Sequence, residues 1–247
     1  MRRSSPDTAA QRESLSVEDR ELIAVRHGES LSNVLMPLAE TAGWETAPEL
    51  PAKDADVPLT ERGIAQARQL GRFLAEPGNR PTAVLSSPFA RARATCRHAA
   101  EGATAQGVDL ADVRIEPRVS ERDMGVLQLL TSTGKRRRHP REHAGWQREG
   151  LHCYRPSGGE NFEDVIARVR HLVAELRTGT RGARVLVVTH DAVVLALRAL
   201  AEGRGMTELG GIPLVSNCSV SRWRLDADGR LHSRGYGQTG HLVATPS

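Results

Sequence analysis

Short apolar runs alternate along the chain with longer stretches in which apolar residues recur every three or four positions. Residues 22–26 (LIAVR), 82–87 (TAVLSS), 113–117 (VRIEP) and 184–189 (RVLVVT) read as strands. The last is an unbroken Val/Leu run, as expected of a parallel strand covered on both faces. Residues 219–225 (SVSRWRL) alternate apolar and polar, which predicts a strand at or near a sheet edge. Between the runs lie helical periods. One covers 30–42 and ends near Gly43. Another covers 59–76 through Ile64, Ala67, Leu70 and Leu74, with Thr60 as N-cap and Gly63 at the third helical position. A third runs from Phe89 to about Ala100, with Pro88 where a first helical residue is favoured. Residues 161–177 place Val165, Val169, Leu172 and Leu176 on one face, and a further helix covers about 192–202.

Strands that alternate with helices predict an α/β fold: a three-layer α/β/α arrangement with a mostly parallel sheet and helices on both faces. Residues 126–157 break the alternation. From 126 to 150 the pattern is helical but charged, interrupted at Gly134 and Pro140, and 155–161 (RPSGGEN) reads as a turn; the stretch is read as a small helical cap inserted into one domain spanning 19–247. Residues 1–18 are polar and are expected to form a disordered tail.

Composition narrows this picture. Aromatics are only 3% of the 247 residues, so the core must be aliphatic. Cys96, Cys153 and Cys218 lie far apart and form no CxxC pair, which fits a reducing compartment. No apolar run is long enough to span a bilayer, and the N-terminus has no secretory h-region, so a cytoplasmic location is expected. The net charge of +4 comes mainly from arginines interleaved with acids. The densest basic run, KRRRHPREH at 135–143, lacks the aromatics that stack bases, so no nucleic-acid partner is expected. That run is either a rim that attracts anions or an ordinary solvated helix.

In parallel sheets ligands bind beyond the carboxyl ends of the strands. Three strands here run into cationic or nucleophilic residues. LIAV leads to Arg26-His27-Gly28, TAVLSSP leads to Arg91 one turn later, and LVVT leads to His190. Each alone would be an ordinary structural residue, whereas three at one sheet edge predict an anion site. Arg26 and Arg91 can grip phosphate oxygens in forks. Gly28 would let backbone approach, and the helix start at Ser30 would offer N–H groups. One neutral histidine can attack phosphorus, and the other, cationic or donating, can stabilise the equatorial oxygens. No carboxylate cluster for a metal is apparent, and no cofactor is called for. P-loop, GxSxG and GxGxxG patterns in a βα context are absent.

Arg26-His27-Gly28-Glu29-Ser30 with Asn33 resembles the RHGxSxxN signature of the histidine phosphatase (phosphoglycerate mutase-like) superfamily. LTERGIAQA (59–67), SSPFARARAT (86–95), SERDMG (120–125), GGEN (158–161) and VVTH (187–190) resemble further segments of that family, in order, over roughly residues 20–220. The resemblance implies that His27 is the transiently phosphorylated nucleophile and that Arg26, Arg91 and His190 form the phosphate pocket. It implies that Glu121 is the general acid and then the base for water. The alternative for Glu121 is a surface carboxylate paired with Arg122. Asn33 is read as a phosphate donor and Glu160 as a structural residue.

The sequence departs from the family in several places. Asp191 stands where Gly is usual, and Met124 stands where the mutase branch has Tyr. Residues 126–157 do not resemble that branch closely, and the stretch from Asn33 to Trp44 differs in length. These departures favour a phosphomonoesterase acting on a small phosphorylated metabolite over a phosphoglycerate mutase. Asp191 is read as an N-cap, with a specificity role as the competing reading. Two other classes compete. A metal-dependent HD phosphohydrolase would use His190-Asp191, but such pairs lie within helices. A non-enzymatic phosphate-binding module would be favoured if Arg26, His27 or Arg91 were missing. The substrate and the oligomeric state stay open, a homodimer being one option.

Overall fold

A computed structural model describes residues 20–179 and 183–242; the expected tail at 1–18 lies outside them. The elements run β1 (Arg20–Arg26), α1 (Leu31–Thr41), α2 (Glu61–Ala75), β2 (Ala83–Ser86), α3 (Ala90–Thr104), β3 (Val113–Ile115), α4 (Ser132–Arg138), α5 (Pro140–Glu149), α6 (Phe162–Arg177), β4 (Arg184–Thr189), α7 (Asp191–Glu202), β5 (Val220–Leu225) and β6 (Leu231–Gln238).

The described residues form one six-stranded sheet in the order β3-β2-β4-β1-β5-β6. Pairs β3–β2, β2–β4 and β4–β1 are parallel, and β1–β5 and β5–β6 are antiparallel. The pleat divides the core in two. Leu22 and Ala24 of β1 point to a layer built from Val165, Val169 and Leu172 of α6 and Val193 and Leu197 of α7. Ile23 and Val25 point to the other, built from Ala67, Leu70 and Leu74 of α2 and Ala92, Cys96 and Ala99 of α3. This is the expected α/β/α layering, and it explains why the central strands carry no polar alternation.

Helices α2 and α3 pack unusually close. A Cβ on Gly71 would lie 1.9 Å from the Ala99 carbonyl oxygen, so only glycine lets the two backbones meet there. Thr60 caps α2 as expected, its hydroxyl accepting from the Gly63 N–H at 3.0 Å. Two details differ from the sequence reading. Helix α3 starts at Ala90, with Phe89 rather than Pro88 at its boundary, because Ser86–Pro88 are used for a turn in which the Ser87 hydroxyl accepts from the Phe89 N–H. Gly134 does not break a helix: it sits at the third position of α4, where its N–H donates to the capping Thr131 hydroxyl. Strand β6 was not anticipated. Three of its eight residues are Gly or Ser and only its first residue, Leu231, is buried, so it carries no alternation to read. No helix among the described residues is long and apolar enough to cross a membrane.

Register positions the chemistry. Arg26 lies opposite Thr189 and Ser86 opposite Val188. His27, Ser87 and His190 therefore leave three adjacent parallel strands at one level, with the His27 N–H donating to the Thr189 carbonyl at 2.8 Å and the Ser87 N–H to that of Val188 at 3.0 Å.

Candidate active site

His27 and His190 lie side by side beneath the sheet's carboxyl edge, ring centroids 5.0 Å apart. His27 is 2% exposed and His190 0%. The Nδ1 of His27 is 2.7 Å from the carbonyl oxygen of Gly28, which can only accept. Nδ1 therefore carries the proton, and Nε2 is left with its lone pair. Arg91 Nε approaches that Nε2 at 3.2 Å. Burial first, then the Arg91 and Arg26 charges, hold the His27 imidazole well below its usual range, outweighing the Gly28 bond. It is neutral at neutral pH, as a nucleophile must be.

His190 is neutral for similar reasons: burial first, then His27 and the surrounding arginines. Its Nε2 is 2.8 Å from the Ser87 hydroxyl. That oxygen accepts from the Phe89 N–H and keeps a further lone pair and its own proton, so it can serve either neutral tautomer of the ring. Nδ1 has no hydrogen-bond partner among the described residues and lies 3.8 Å from Glu121 Oε2. Burial thus favours the neutral over the cationic form of this ring.

Arg26 and Arg91 flank the pair. Arg26 Nη1 donates to the Val215 carbonyl, and its buried Nε has no hydrogen-bond partner among the described residues. Arg91 is 3% exposed, and its outer nitrogens grip Asp54: Nη1 to Oδ1 at 2.9 Å and Nη2 to Oδ2 at 3.1 Å. Asn33 lines the same cavity. Its Oδ1 accepts from the Ser30 N–H, the Ser30 hydroxyl and Asn217 Nδ2, which leaves its amide nitrogen as the end that can serve an anion.

Several N–H groups at and just before the start of α1 (Leu31–Thr41) are already engaged. Glu29 N–H donates to Gln66, Ser30 N–H to Asn33 and Leu31 N–H to the Pro58 carbonyl. Gly28 also serves a different purpose. Its Cβ position falls 2.5 Å from the Gly63 carbonyl oxygen, so glycine is required for the loop to pack on α2.

Glu121 closes the far side. Its Oε1 accepts from the Arg122 N–H at 2.9 Å, and a quarter of its side chain reaches solvent. Burial raises its pKa, opposed by Arg91 and by the Arg122 bond and aided by the Asp54 and Asp191 charges. It does not pair with the Arg122 guanidinium, which donates instead to the carbonyls of Glu160, Leu151 and Tyr154. Glu160 is structural as expected. It pairs with Arg168, which in turn holds the carbonyls of Arg118 and Glu121 and so fixes the segment bearing Glu121.

Asp191 is not an N-cap. His190 occupies the boundary of α7 and Asp191 is its first residue. Asp191 Oδ1 accepts from the Val215 N–H at 3.0 Å. Because Val215 also receives Arg26, Asp191 braces the loop that braces Arg26. Burial raises the Asp191 pKa, and the Arg26 charge opposes this.

The cavity above these groups is about 260 Å³ and includes Met36, Met124, Leu127, Leu130 and Lys135 in its wall. The basic run thus divides. Lys135 faces the cavity, its Nζ 3.6 Å from the centre of the Trp146 ring, with its pKa lowered by burial to about 8. Arg137 and Arg138 pair with Glu45 on the outer surface. Among the described residues no group of three or more His, Cys, Asp or Glu is arranged to hold a metal ion.

Sequence reasoning missed Asp54, Ser87 and Asn217 as site residues. Ser87 lies within a quoted motif, but its role needs the β2–β4 register. Asp54 and Asn217 sit in loops without a period.

Residues 22–235 match the model of the Histidine phosphatase superfamily (branch 1). A 2,3-bisphosphoglycerate-dependent phosphoglycerate mutase of Methylobacterium radiotolerans is 33% identical over 226 residues, covering 87% of this chain and 94% of that protein. A protein of the same description from Mesorhizobium japonicum is 30% identical over 223 residues, covering 87% and 97%. Among solved structures, a mycobacterial glucosyl-3-phosphoglycerate phosphatase in complex with VO3 superposes with a TM-score of 0.67 at 25% identity, covering 89% of this chain and all of that one.

Proposed function

The chain belongs to the histidine phosphatase superfamily, branch 1, and on that premise we propose that it is a phosphomonoesterase that hydrolyses a small phosphorylated metabolite through a phosphohistidine on His27. The observation that carries the reading is the His27 ring: Nδ1–H fixed on the Gly28 carbonyl, Nε2 facing Arg91, in a cavity shared with a carboxyl of raised pKa.

The chemistry follows from these groups. The Nε2 lone pair forms a bond to phosphorus as the ester P–O bond breaks. Glu121, whose protonated form burial favours, delivers its proton to the departing oxygen, so an alcohol leaves instead of an alkoxide. The positive charge that appears on the ring is shared with the Gly28 carbonyl. The charge spread over the equatorial oxygens meets Arg26, Arg91, His190 and the Asn33 amide. In the second half, the Glu121 carboxylate takes a proton from water as that water attacks phosphorus and the N–P bond breaks. Ester and water give alcohol and inorganic phosphate.

Transfer to a second hydroxyl of a sugar acid is the competing outcome, favoured by the mutases among the relatives. The cavity wall supports hydrolysis. A bisphosphorylated intermediate needs cations at both ends, yet Arg122 is committed to three carbonyls and Lys135 is the remaining cation of the wall. Incubation with 3-phosphoglycerate, with and without 2,3-bisphosphoglycerate, and with a panel of phosphate esters separates the two. Phosphate release without primer is expected; primer-dependent isomerisation without release would establish the mutase instead.

A further inference from the structure

Arg91 uses its two edges for different things. A planar guanidinium presents five N–H bonds in a fixed layout: an end-on pair from the two outer nitrogens and a side-on pair from Nε and Nη2. The end-on edge is fully engaged by one residue. Nη1 donates to Asp54 Oδ1 at 2.9 Å and to the Asp54 carbonyl at 2.7 Å, and Nη2 donates to Oδ2 at 3.1 Å. The side-on edge points the other way, with Nε 3.2 Å from His27 Nε2. The pair is shielded, the Arg91 side chain being 4% exposed and that of Asp54 16%. Asp54 is itself held. It opens a single 3₁₀ turn, Asp54–Asp56, and its N–H donates to Gln128 Oε1 at 3.2 Å.

A phosphoryl group joined to His27 Nε2 places its equatorial oxygens against that side-on edge. Without Asp54, the guanidinium could swing its end-on fork toward the anion and lose the alignment. We propose that Asp54 is a positioning residue for phosphoryl transfer: by taking the end-on edge of Arg91, it fixes the guanidinium with its side-on edge on the phosphoryl group carried by His27. The proposal rests on the reading of the site as a phosphohistidine phosphatase. A second effect runs in the same direction, since the Asp54 charge helps raise the Glu121 pKa.

The opposite role for the same contact is also definable. If Asp54 were a stand-in anion occupying the phosphate's place on Arg91, removing its charge would improve binding. A third role, bracing the loop alone, would change stability and nothing else.

Asp54→Asn separates these. It keeps the shape, one side-chain acceptor and the backbone carbonyl, and it removes the charge and one acceptor. Positioning predicts a fall in kcat/KM of about 10- to 100-fold carried mainly by kcat. Orthovanadate, which resembles the five-coordinate transition state, should inhibit correspondingly less well. The basic limb of the pH profile should move to lower pH as Glu121 loses its neighbour's charge. In an Arg91→Lys background, which has no fork to align, the same substitution should change kcat/KM by no more than about threefold, the non-additivity of a shared interaction. Asp54→Glu, which retains charge, should keep the pH limb in place while lowering kcat. A lower KM and tighter vanadate inhibition in Asp54→Asn would overturn the proposal in favour of the stand-in anion. A lowered Tm with kcat and pH profile unchanged would overturn it in favour of a bracing role. In either case, phosphohistidine formed by the wild type would leave the phosphatase reading standing; its absence from the wild type would remove that reading independently of Asp54.

Discussion

Replacing Glu121 by Gln tests the acid in the first half-reaction. The substitution keeps the side chain's size and its acceptor toward the Arg122 N–H, so the fold and the phosphate pocket should persist. What it removes is a proton that burial, with the Asp54 and Asp191 charges, holds on the carboxyl above the usual carboxylate range. General acid catalysis contributes roughly 10²- to 10⁴-fold, which corresponds to about 2.7–5.4 kcal/mol of transition-state stabilisation. The loss should appear in full for an alkyl phosphate, whose alkoxide leaves poorly without a proton. It should be small for the first step of p-nitrophenyl phosphate, whose leaving group is already stable as an anion. The assay is therefore a pair of kcat/KM values measured across pH. In the wild type, alkyl phosphate hydrolysis declines as pH rises through the Glu121 pKa, because the acid form is the active one; Gln has no such limb. Burst kinetics with the aryl ester would also show Glu121→Gln accumulating phosphoenzyme, since the base for water is gone. Equal losses on the two esters, with the basic limb intact, would refute the assignment of Glu121 as acid.

Three further outcomes are expected. Gly71→Ala forces a methyl into the Ala99 carbonyl and should lower unfolding free energy by about 1–3 kcal/mol in urea titrations; an unchanged midpoint would mean that α2 and α3 are not in that contact. His27 and His190 are neutral when buried and titrate from 6.5 when unfolded, so their contribution is full above pH 6.5 and is lost as pH falls toward their depressed folded values, by up to about 1.4 kcal/mol per pH unit for each ring; Tm should fall below that pH, and less steeply in His27→Asn, whereas parallel curves would contradict neutral burial of that ring. Asp191→Asn keeps an acceptor for the Val215 N–H and should stay near wild type on alkyl and aryl esters alike, while Asp191→Ala frees the loop that holds Arg26 and should lose about tenfold in kcat/KM; a loss in Asp191→Asn confined to one substrate would instead give Asp191 a specificity role.

The parts of the fold that were legible are those where one local signal decides. The Val/Leu run of β4 can only be a doubly covered strand, and the Thr60 cap and the 3.6-residue period of α6 fix their helices. The three strand ends bearing Arg26-His27, Arg91 and His190 could be placed at one crevice because parallel sheets gather their carboxyl ends, and there they meet. What stayed hidden depends on partners distant in sequence. Asp54 is an ordinary loop aspartate until Arg91, 37 residues on, is folded against it. Asp191 looked like a cap because an Asp between strand and helix usually is one; the actual boundary is one residue earlier, which frees its carboxylate for Val215. The packing of Gly28 on the Gly63 backbone is a further constraint that only the folded chain reveals. The run at 135–143 was ambiguous because it is two things, one lysine facing the cavity and two arginines clamped to Glu45. Strand β6 has too few apolar residues to show a period.

The central claim is a phosphate carried by His27. Wild type mixed with a ³²P-labelled phosphate ester and quenched in alkali within a turnover should retain label that is stable to alkali, lost in acid, and confined to the peptide containing His27. His27→Ala should retain none, should fold with a near-native circular dichroism spectrum, and should have no measurable turnover. Label that survives acid, that maps to another peptide, or that persists in His27→Ala with activity retained, would contradict the account.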